Sequence, residues 1–148
     1  EVAVGRMLKQ LPLQRIAYNA IPSVVYTNPE IACVGLTEKD LNEIHEGDFA
    51  PSMSTDEPFV PYEVHQLPMT YSGRFVAENE GEMGLCKVIV DKRSKTVMGV
   101  HMIDNPCSEF VAAASFAVRM GYTVGEFKQV VFPHPTVAEV MREVIMEA

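Results

Sequence analysis

The 148 residues suffice for one domain with a hydrophobic core, because 47% of them are hydrophobic and 22% are charged. A formal net charge of −8 argues against a nucleic-acid partner, since phosphates repel an acidic surface. The longest near-apolar run, residues 110–118, is too short to cross a bilayer, and no charged-then-apolar leader is present. We therefore expect a cytoplasmic protein that does not bind a membrane.

The cysteines and histidines show no metal-ligand spacing. The three cysteines are widely separated and contain no C-x-x-C pattern, which is typical of reduced, mostly buried thiols (Cys33, Cys86 and Cys107). Three of the four histidines are isolated from one another and from the cysteines (His45, His65 and His101). The sequence therefore predicts no metal site.

The first third of the chain alternates short apolar runs with breakers. Residues 1–20 are weakly amphipathic and are interrupted by Gly5 and Pro12. Residues 24–27 and 31–34 have strand composition, and Gly35 ends the second strand. The spacing Thr37-x-x-Asp40 predicts the capped start of a helix over 38–46. Residues 47–62 are rich in proline and serine, so we expect a surface excursion there.

Strand patterns dominate the middle of the chain. Residues 62–67 alternate as a strand, and a mixed segment follows over 72–82. Residues 85–90 and 97–103, joined by a polar link, predict the clearest hairpin. Antiparallel strands in a meander with helices on one face predict an α+β fold, whose sheet should have four or five strands.

Helix signals follow the hairpin. Asn105 is expected to cap a helix that has Pro106 at its first position and ends at Gly121 in the left-handed conformation. Thr123-x-x-Glu126 predicts a capping box that opens a short helix to about residue 131. Cys107 would lie in a first turn, where the helix dipole lowers a thiol pKa, although a buried, inert cysteine is the favoured interpretation.

The most informative stretch is Phe132-Pro-His-Pro-Thr-Val-Ala-Glu139. Two prolines restrict the backbone around His134. Thr136 and Glu139 have capping-box spacing, and the apolar residues after them recur with helical period. The pattern allows a His134–Glu139 pair with a catalytic role, and it equally allows a structural histidine beside a purely capping carboxylate.

This H-P-T-x-x-E stretch resembles a signature of the pyridine nucleotide-disulfide oxidoreductases. Residues 21–38, with the run Asn28-Pro-Glu-Ile-Ala-Cys-Val-Gly35, look like the opening of the same family's dimerisation domain. The resemblance covers roughly residues 20–148 and is greatest to dihydrolipoyl dehydrogenase. That group usually carries a second histidine two positions before the catalytic one, where this chain has Phe132.

The resemblance implies a role for each part of the chain. Residues 1–20 would be the tail of a flavin-binding region, and residues 21–148 the dimerisation domain of a homodimer. His134 would act as acid/base on a dithiol or disulfide substrate, which could be carried on a lipoyl domain, and Glu139 would orient it.

The resemblance also implies cofactors outside this chain. No G-x-G-x-x-G follows a strand and no redox cysteine pair is present, so FAD and NAD(P) are expected in upstream domains and not bound to this fragment. The alternatives are a glutathione reductase-type or other disulfide reductase, and a free-standing dimerisation module without activity.

Overall fold

A computed structural model describes residues 2–8, 16–46, 61–79 and 83–148. These residues form five strands: β1 Ser23–Val25, β2 Ile31–Gly35, β3 Tyr62–Pro68, β4 Leu85–Asp91 and β5 Val97–Ile103. They form six α-helices: α1 Val2–Met7, α2 Glu38–Glu46, α3 Gly73–Glu78, α4 Cys107–Met120, α5 Val124–Phe127 and α6 Glu139–Met146. Two 3-10 helices span Tyr18–Ala20 and Met69–Tyr71. Most of the predicted excursion, residues 47–60, lies outside the described residues.

The strands form one antiparallel sheet in the order β1-β2-β5-β4-β3. This confirms the predicted α+β fold with a sheet of four or five strands. The hairpin of β4 and β5 forms as predicted, with Cys86 opposite Met102 and Val88 opposite Val100. Asp91 stabilises the link between these strands, because its Oδ1 accepts hydrogen bonds of 2.6 and 2.9 Å from two N–H groups of the turn.

The two faces of the sheet have different neighbours. Cys86, Val88 and Val90 alternate along β4 and are fully buried on one face. There α4 packs on β2 and β5, and α6 packs on β3 and β4, so the long C-terminal helices share one face as predicted. On the opposite face, Glu38 of α2 accepts from Lys87 Nζ at 2.6 Å. Helix α2 therefore lies on the side of the sheet that the C-terminal helices leave free.

The start of α4 differs from the prediction. Asn105 does not cap the helix, because its Oδ1 accepts from the N–H of Glu30 at 3.3 Å. The helix begins at Cys107, and Pro106 occupies the N-cap position without a side-chain cap. Instead, Glu30 Oε2 accepts from the N–H of Ser108 at 3.0 Å. A carboxylate just ahead of β2 thus binds the first turn of α4.

The capping signals of α2 and α5 and the predicted end of α4 are confirmed. Thr37 and Asp40 bond reciprocally at the start of α2, and Thr123 and Glu126 form a complete capping box at α5. Gly121 ends α4 with φ 66° and ψ 39°, the left-handed conformation that favours glycine. Helix α5 ends earlier than the predicted residue 131. None of the described helices has the length and apolarity needed to cross a membrane.

Candidate active site

The segment between α5 and α6 carries the exposed His134, and the residues that follow it are packed in the core. Val137 is only 6% exposed, and α6 buries the predicted apolar stripe behind it (Val140, Met141, Val144 and Ile145). The side chain of His134, by contrast, is 81% exposed. The His134–Pro135 peptide bond is cis. The fold therefore anchors the segment from its C-terminal side and leaves the imidazole open to a reactant or a partner surface.

The predicted contact between His134 and Glu139 is present. Glu139 Oε1 lies 2.7 Å from Nδ1 of the imidazole. The other carboxylate oxygen, Oε2, accepts a hydrogen bond of 2.6 Å from the N–H of Thr136. The Glu139 side chain is only 19% exposed, so the same carboxylate binds the ring and the backbone at the foot of α6.

The capping box predicted for α6 is only half formed. Glu139 accepts from the Thr136 N–H as the motif requires. The Thr136 hydroxyl, however, donates to the carbonyl oxygen of Pro133 at 2.8 Å and does not cap the helix. The helix then begins at Glu139 itself, with Ala138 at the N-cap position. The threonine therefore closes the loop that carries His134.

These contacts determine which ring nitrogen is available for chemistry. The hydrogen bond from Thr136 and, after it, the interactions with His134 hold the pKa of Glu139 below its ordinary value, against partial burial. An ionised carboxylate can only accept, so Nδ1 of His134 must be the donor. In the neutral ring Nε2 then carries no proton and has no hydrogen-bond partner within the described part of the chain. The arrangement suits Nε2 to accept and return a proton.

Phe132 lies two positions before His134, where the resemblance described above would place a second histidine. Its ring packs against Phe127 of α5, with centroids 5.8 Å apart, and against the hydrophobic core. The side chain therefore contributes apolar packing ahead of His134 and no second titratable group.

Sequence reasoning missed Ser72. Its hydroxyl donates to the carbonyl oxygen of Thr136 at 2.9 Å, and the residue is only 2% exposed. The short-range spacing of Ser72 and Phe75 could have indicated a helix start, which is present. No local signal relates Ser72 to a residue 64 positions along the chain.

The surroundings of Cys86, Cys107 and His101 are those of packed side chains. Burial raises the pKa of the Cys86 thiol to about 12 and also raises the pKa of Cys107, where the helix-dipole argument alone would lower it. His101 Nε2 lies 3.0 Å from the carbonyl oxygen of Leu36, and burial lowers the pKa of its ring. Among the described residues, no group of three or more His, Cys, Asp or Glu side chains could hold a metal ion. The side chain of His45 lies outside the described residues.

Curated relatives match most of this chain but only part of their own length. Mitochondrial dihydrolipoyl dehydrogenase of Caenorhabditis elegans is 35% identical over 133 residues, which are 90% of this chain and 24% of that protein. Dihydrolipoyl dehydrogenase of Haloferax volcanii is 34% identical over 124 residues, which are 84% of this chain and 23% of that protein. The chain thus spans about a quarter of the length of these relatives.

Solved structures share the fold. LpdA from Mycobacterium tuberculosis matches with a TM-score of 0.80 and 21% identity, over 98% of this chain and 28% of that one. The HOCl-induced flavoprotein disulfide reductase RclA from Escherichia coli matches with a TM-score of 0.76 and 18% identity, over 99% of this chain and 30% of that one. Residues 21–145 match the dimerisation domain of the pyridine nucleotide-disulphide oxidoreductases. Because this match covers most of the chain and the relatives above agree with it, the chain belongs to the pyridine nucleotide-disulphide oxidoreductase family.

Proposed function

We propose that this chain is the C-terminal part of a dihydrolipoyl dehydrogenase, in which His134 acts as the acid/base for a dithiol substrate across the dimer. The observation that carries the proposal is the 2.7 Å contact of Glu139 with Nδ1 of a ring that is 81% exposed. An exposed ring with one nitrogen held by a carboxylate can meet a group supplied by another subunit. Residues 1–20 would belong to the preceding flavin-binding region and residues 21–148 to the dimerisation domain.

The proposed proton transfer follows from the chemistry of thiols. A free thiol has a pKa of about 8.5, so most of a dithiol is protonated near neutral pH. Nε2 of His134 would take the proton from one sulfur, leaving the thiolate as the nucleophile. The ring would then be an imidazolium whose charge Glu139 stabilises through Nδ1–H. In the reverse direction, Nε2–H returns the proton to sulfur.

The cofactors of the proposed reaction are assigned to other parts of the same polypeptide. No G-x-G-x-x-G follows a strand in this sequence, so FAD and NAD(P) would be held by upstream domains of the same polypeptide. When bound there, they supply the acceptor for the two electrons of the dithiol. We assign to this chain the proton transfer step and the formation of the dimer. The proposed enzyme would be cytoplasmic.

The test requires the full reading frame that contains this sequence, expressed as a flavoprotein. We expect His134→Gln to keep the flavin and the dimer and to slow flavin reduction by dihydrolipoamide by roughly two to four powers of ten, the usual general-base contribution. Stopped-flow absorbance of the flavin measures this step directly. Reduction at the wild-type rate would refute the catalytic assignment.

Glu139→Gln tests the orientation of the His134 ring separately from its role as the base. The Thr136 N–H would bind the amide oxygen, and the amide NH₂ would then face Nδ1 of His134 and keep the proton on Nε2. We expect a smaller loss than for His134→Gln, because an exposed ring can still exchange protons with water. Glu143→Gln is the matched control, since it removes the same charge from α6 at a side chain that pairs with Arg142 at 2.9 Å. The control should reduce its flavin at the wild-type rate.

A further inference from the structure

A buried hydroxyl connects the His134 segment to a distant part of the fold. Ser72 lies between the 3-10 helix that follows β3 and helix α3, and it is 2% exposed. Its Oγ accepts from the N–H of Phe75 at 3.2 Å, and its hydroxyl proton goes to the carbonyl oxygen of Thr136 at 2.9 Å. One hydroxyl therefore caps α3 and also binds the loop ahead of α6.

Residues on both sides of Ser72 are packed in the core and joined to it by backbone hydrogen bonds. Met69 and Phe75 on either side of it are fully buried in the core. The N–H of Ser72 donates to the carbonyl oxygen of Met69 at 2.9 Å, and the N–H of Val76 donates to the carbonyl oxygen of Ser72 at 3.2 Å. Because backbone bonds and core packing both hold Ser72 in place, its hydroxyl can fix the position of the loop that carries Thr136.

A short series of hydrogen bonds leads from this point to the imidazole. The peptide unit on the C-terminal side of Thr136 is held by Ser72, and the N–H of the same residue donates to Glu139 Oε2 at 2.6 Å. Glu139 Oε1 in turn holds Nδ1 of His134 at 2.7 Å. Ser72 thus fixes the position of Thr136 through its carbonyl oxygen. Thr136 in turn fixes the Glu139 carboxylate, which orients the ring of His134.

We infer that Ser72 is a positioning residue for His134, which acts by holding Thr136 so that Glu139 can bind the backbone and the imidazole together. The inference rests on the proposed function only for its catalytic consequence, and the hydrogen-bonded arrangement itself stands on the geometry. Its rival is that Ser72 serves α3 alone, as an N-cap with an incidental second bond.

Substitution at Ser72 separates the two roles. Glycine is nearly as good an N-cap as serine, weaker by only a few tenths of a kcal/mol, but it cannot donate to Thr136. Ser72→Gly therefore keeps most of the capping and removes the bond to the loop, whereas Ser72→Thr keeps a hydroxyl for both. Thr37→Gly is the matched control, because it removes a capping hydroxyl from α2 on the other face of the sheet.

Two measurements on the 148-residue chain report on the hydrogen bonds of the loop and do not require catalysis. Carbon NMR follows the titration of the Glu139 carboxyl, and hydrogen exchange follows the N–H of Thr136. We expect Ser72→Gly to raise the pKa of Glu139 towards its ordinary value and to speed exchange at Thr136 roughly fivefold, the equivalent of one neutral hydrogen bond. Ser72→Thr and Thr37→Gly should match the wild type at both sites.

A Ser72→Gly chain whose Glu139 titration and Thr136 exchange equal those of the wild type would overturn the inference. If that variant does not fold, Ser72→Cys is compared with Thr37→Cys, because a thiol is a weak donor and a weak acceptor, and so it weakens a helix cap in both variants but the bond to Thr136 only in the first. In the full flavoprotein, Ser72→Gly should slow flavin reduction by dithiol roughly fivefold, again the equivalent of one hydrogen bond. A changed Glu139 titration with an unchanged rate would overturn the catalytic consequence of this positioning, whereas the catalytic role of His134 itself is decided by His134→Gln.

Discussion

Replacing Glu139 by glutamine should make the chain less stable at neutral pH and leave its stability almost unchanged in acid. The carboxylate accepts hydrogen bonds of 2.6 Å from the Thr136 N–H and 2.7 Å from His134. A hydrogen bond to a charged group contributes about 1.5–3 kcal/mol, whereas an ion pair with an exposed partner such as His134 contributes at most about 1 kcal/mol. Glutamine can still accept from the Thr136 N–H in a neutral bond worth about 1 kcal/mol, and its contact with the exposed ring adds little, so we expect a net loss of about 0.5–2 kcal/mol near pH 7.

The pH dependence follows from the direction of the Glu139 shift. The Thr136 hydrogen bond and the neighbouring His134 place the folded-state pKa of Glu139 below its ordinary value of 4.5. The stabilisation is therefore complete above the ordinary value and is lost as the pH falls through the lowered folded-state pKa. Glutamine does not titrate, so the difference in unfolding free energy between wild type and Glu139→Gln should narrow over this acid range and close below it.

Urea unfolding at several pH values between about 7 and about 3 measures this difference directly. Glu143→Gln is the control on the same helix, where a half-exposed ion pair with Arg142 should contribute at most about 0.5 kcal/mol. Equal stabilities of wild type and Glu139→Gln at pH 7 would show that the two hydrogen bonds add nothing to the fold. A difference that stayed constant into acid would show that the ionised carboxylate is not its source.

Four further predictions concern other parts of the fold. Gly35→Ala should cost about 2–4 kcal/mol in chemical denaturation, because the residue has φ +84° and an added Cβ would lie 2.1 Å from a carbonyl oxygen of the neighbouring strand. Gly73→Ala, with nothing within 4 Å of the added Cβ, should instead stabilise the chain by about 0.4–1 kcal/mol. The partly exposed Cys33 should react first with a disulfide reagent, whereas the buried Cys86, whose pKa is raised, should react only on unfolding. Equal reaction rates for the two thiols would contradict their difference in burial. The chain should sediment as a dimer, and Phe116→Arg, at an α4 side chain that is 67% exposed, should shift it to monomer, whereas an unchanged mass would place the dimer contact elsewhere.

Much of this protein could be read from neighbouring residues. Alternation along β4 predicts that Cys86, Val88 and Val90 face the core, because successive side chains of a strand point to opposite faces. It does not predict Ile89, which is also fully buried and lies at an irregularity of the β4–β5 register. The end of α4 at Gly121 and the capping box of Thr123 with Glu126 are likewise local, since each needs only a few adjacent residues to satisfy free backbone groups. The contact of His134 with Glu139 belongs to the same class, because five positions separate the two residues.

Only the tertiary structure decided the bonds between distant segments. Asn105 is a residue type that often caps helices, yet the N–H of Ser108 in α4 is bound by Glu30, which lies 78 positions away. In the same way, Ser72 reaches Thr136 across 64 positions and leaves the Thr136 hydroxyl to close the loop on Pro133. The physical reason is that a polar group binds whichever partner the packed core brings within reach. Spacing along the chain specifies local donors and acceptors, whereas the pairing of remote ones depends on how the sheet and its helices are assembled.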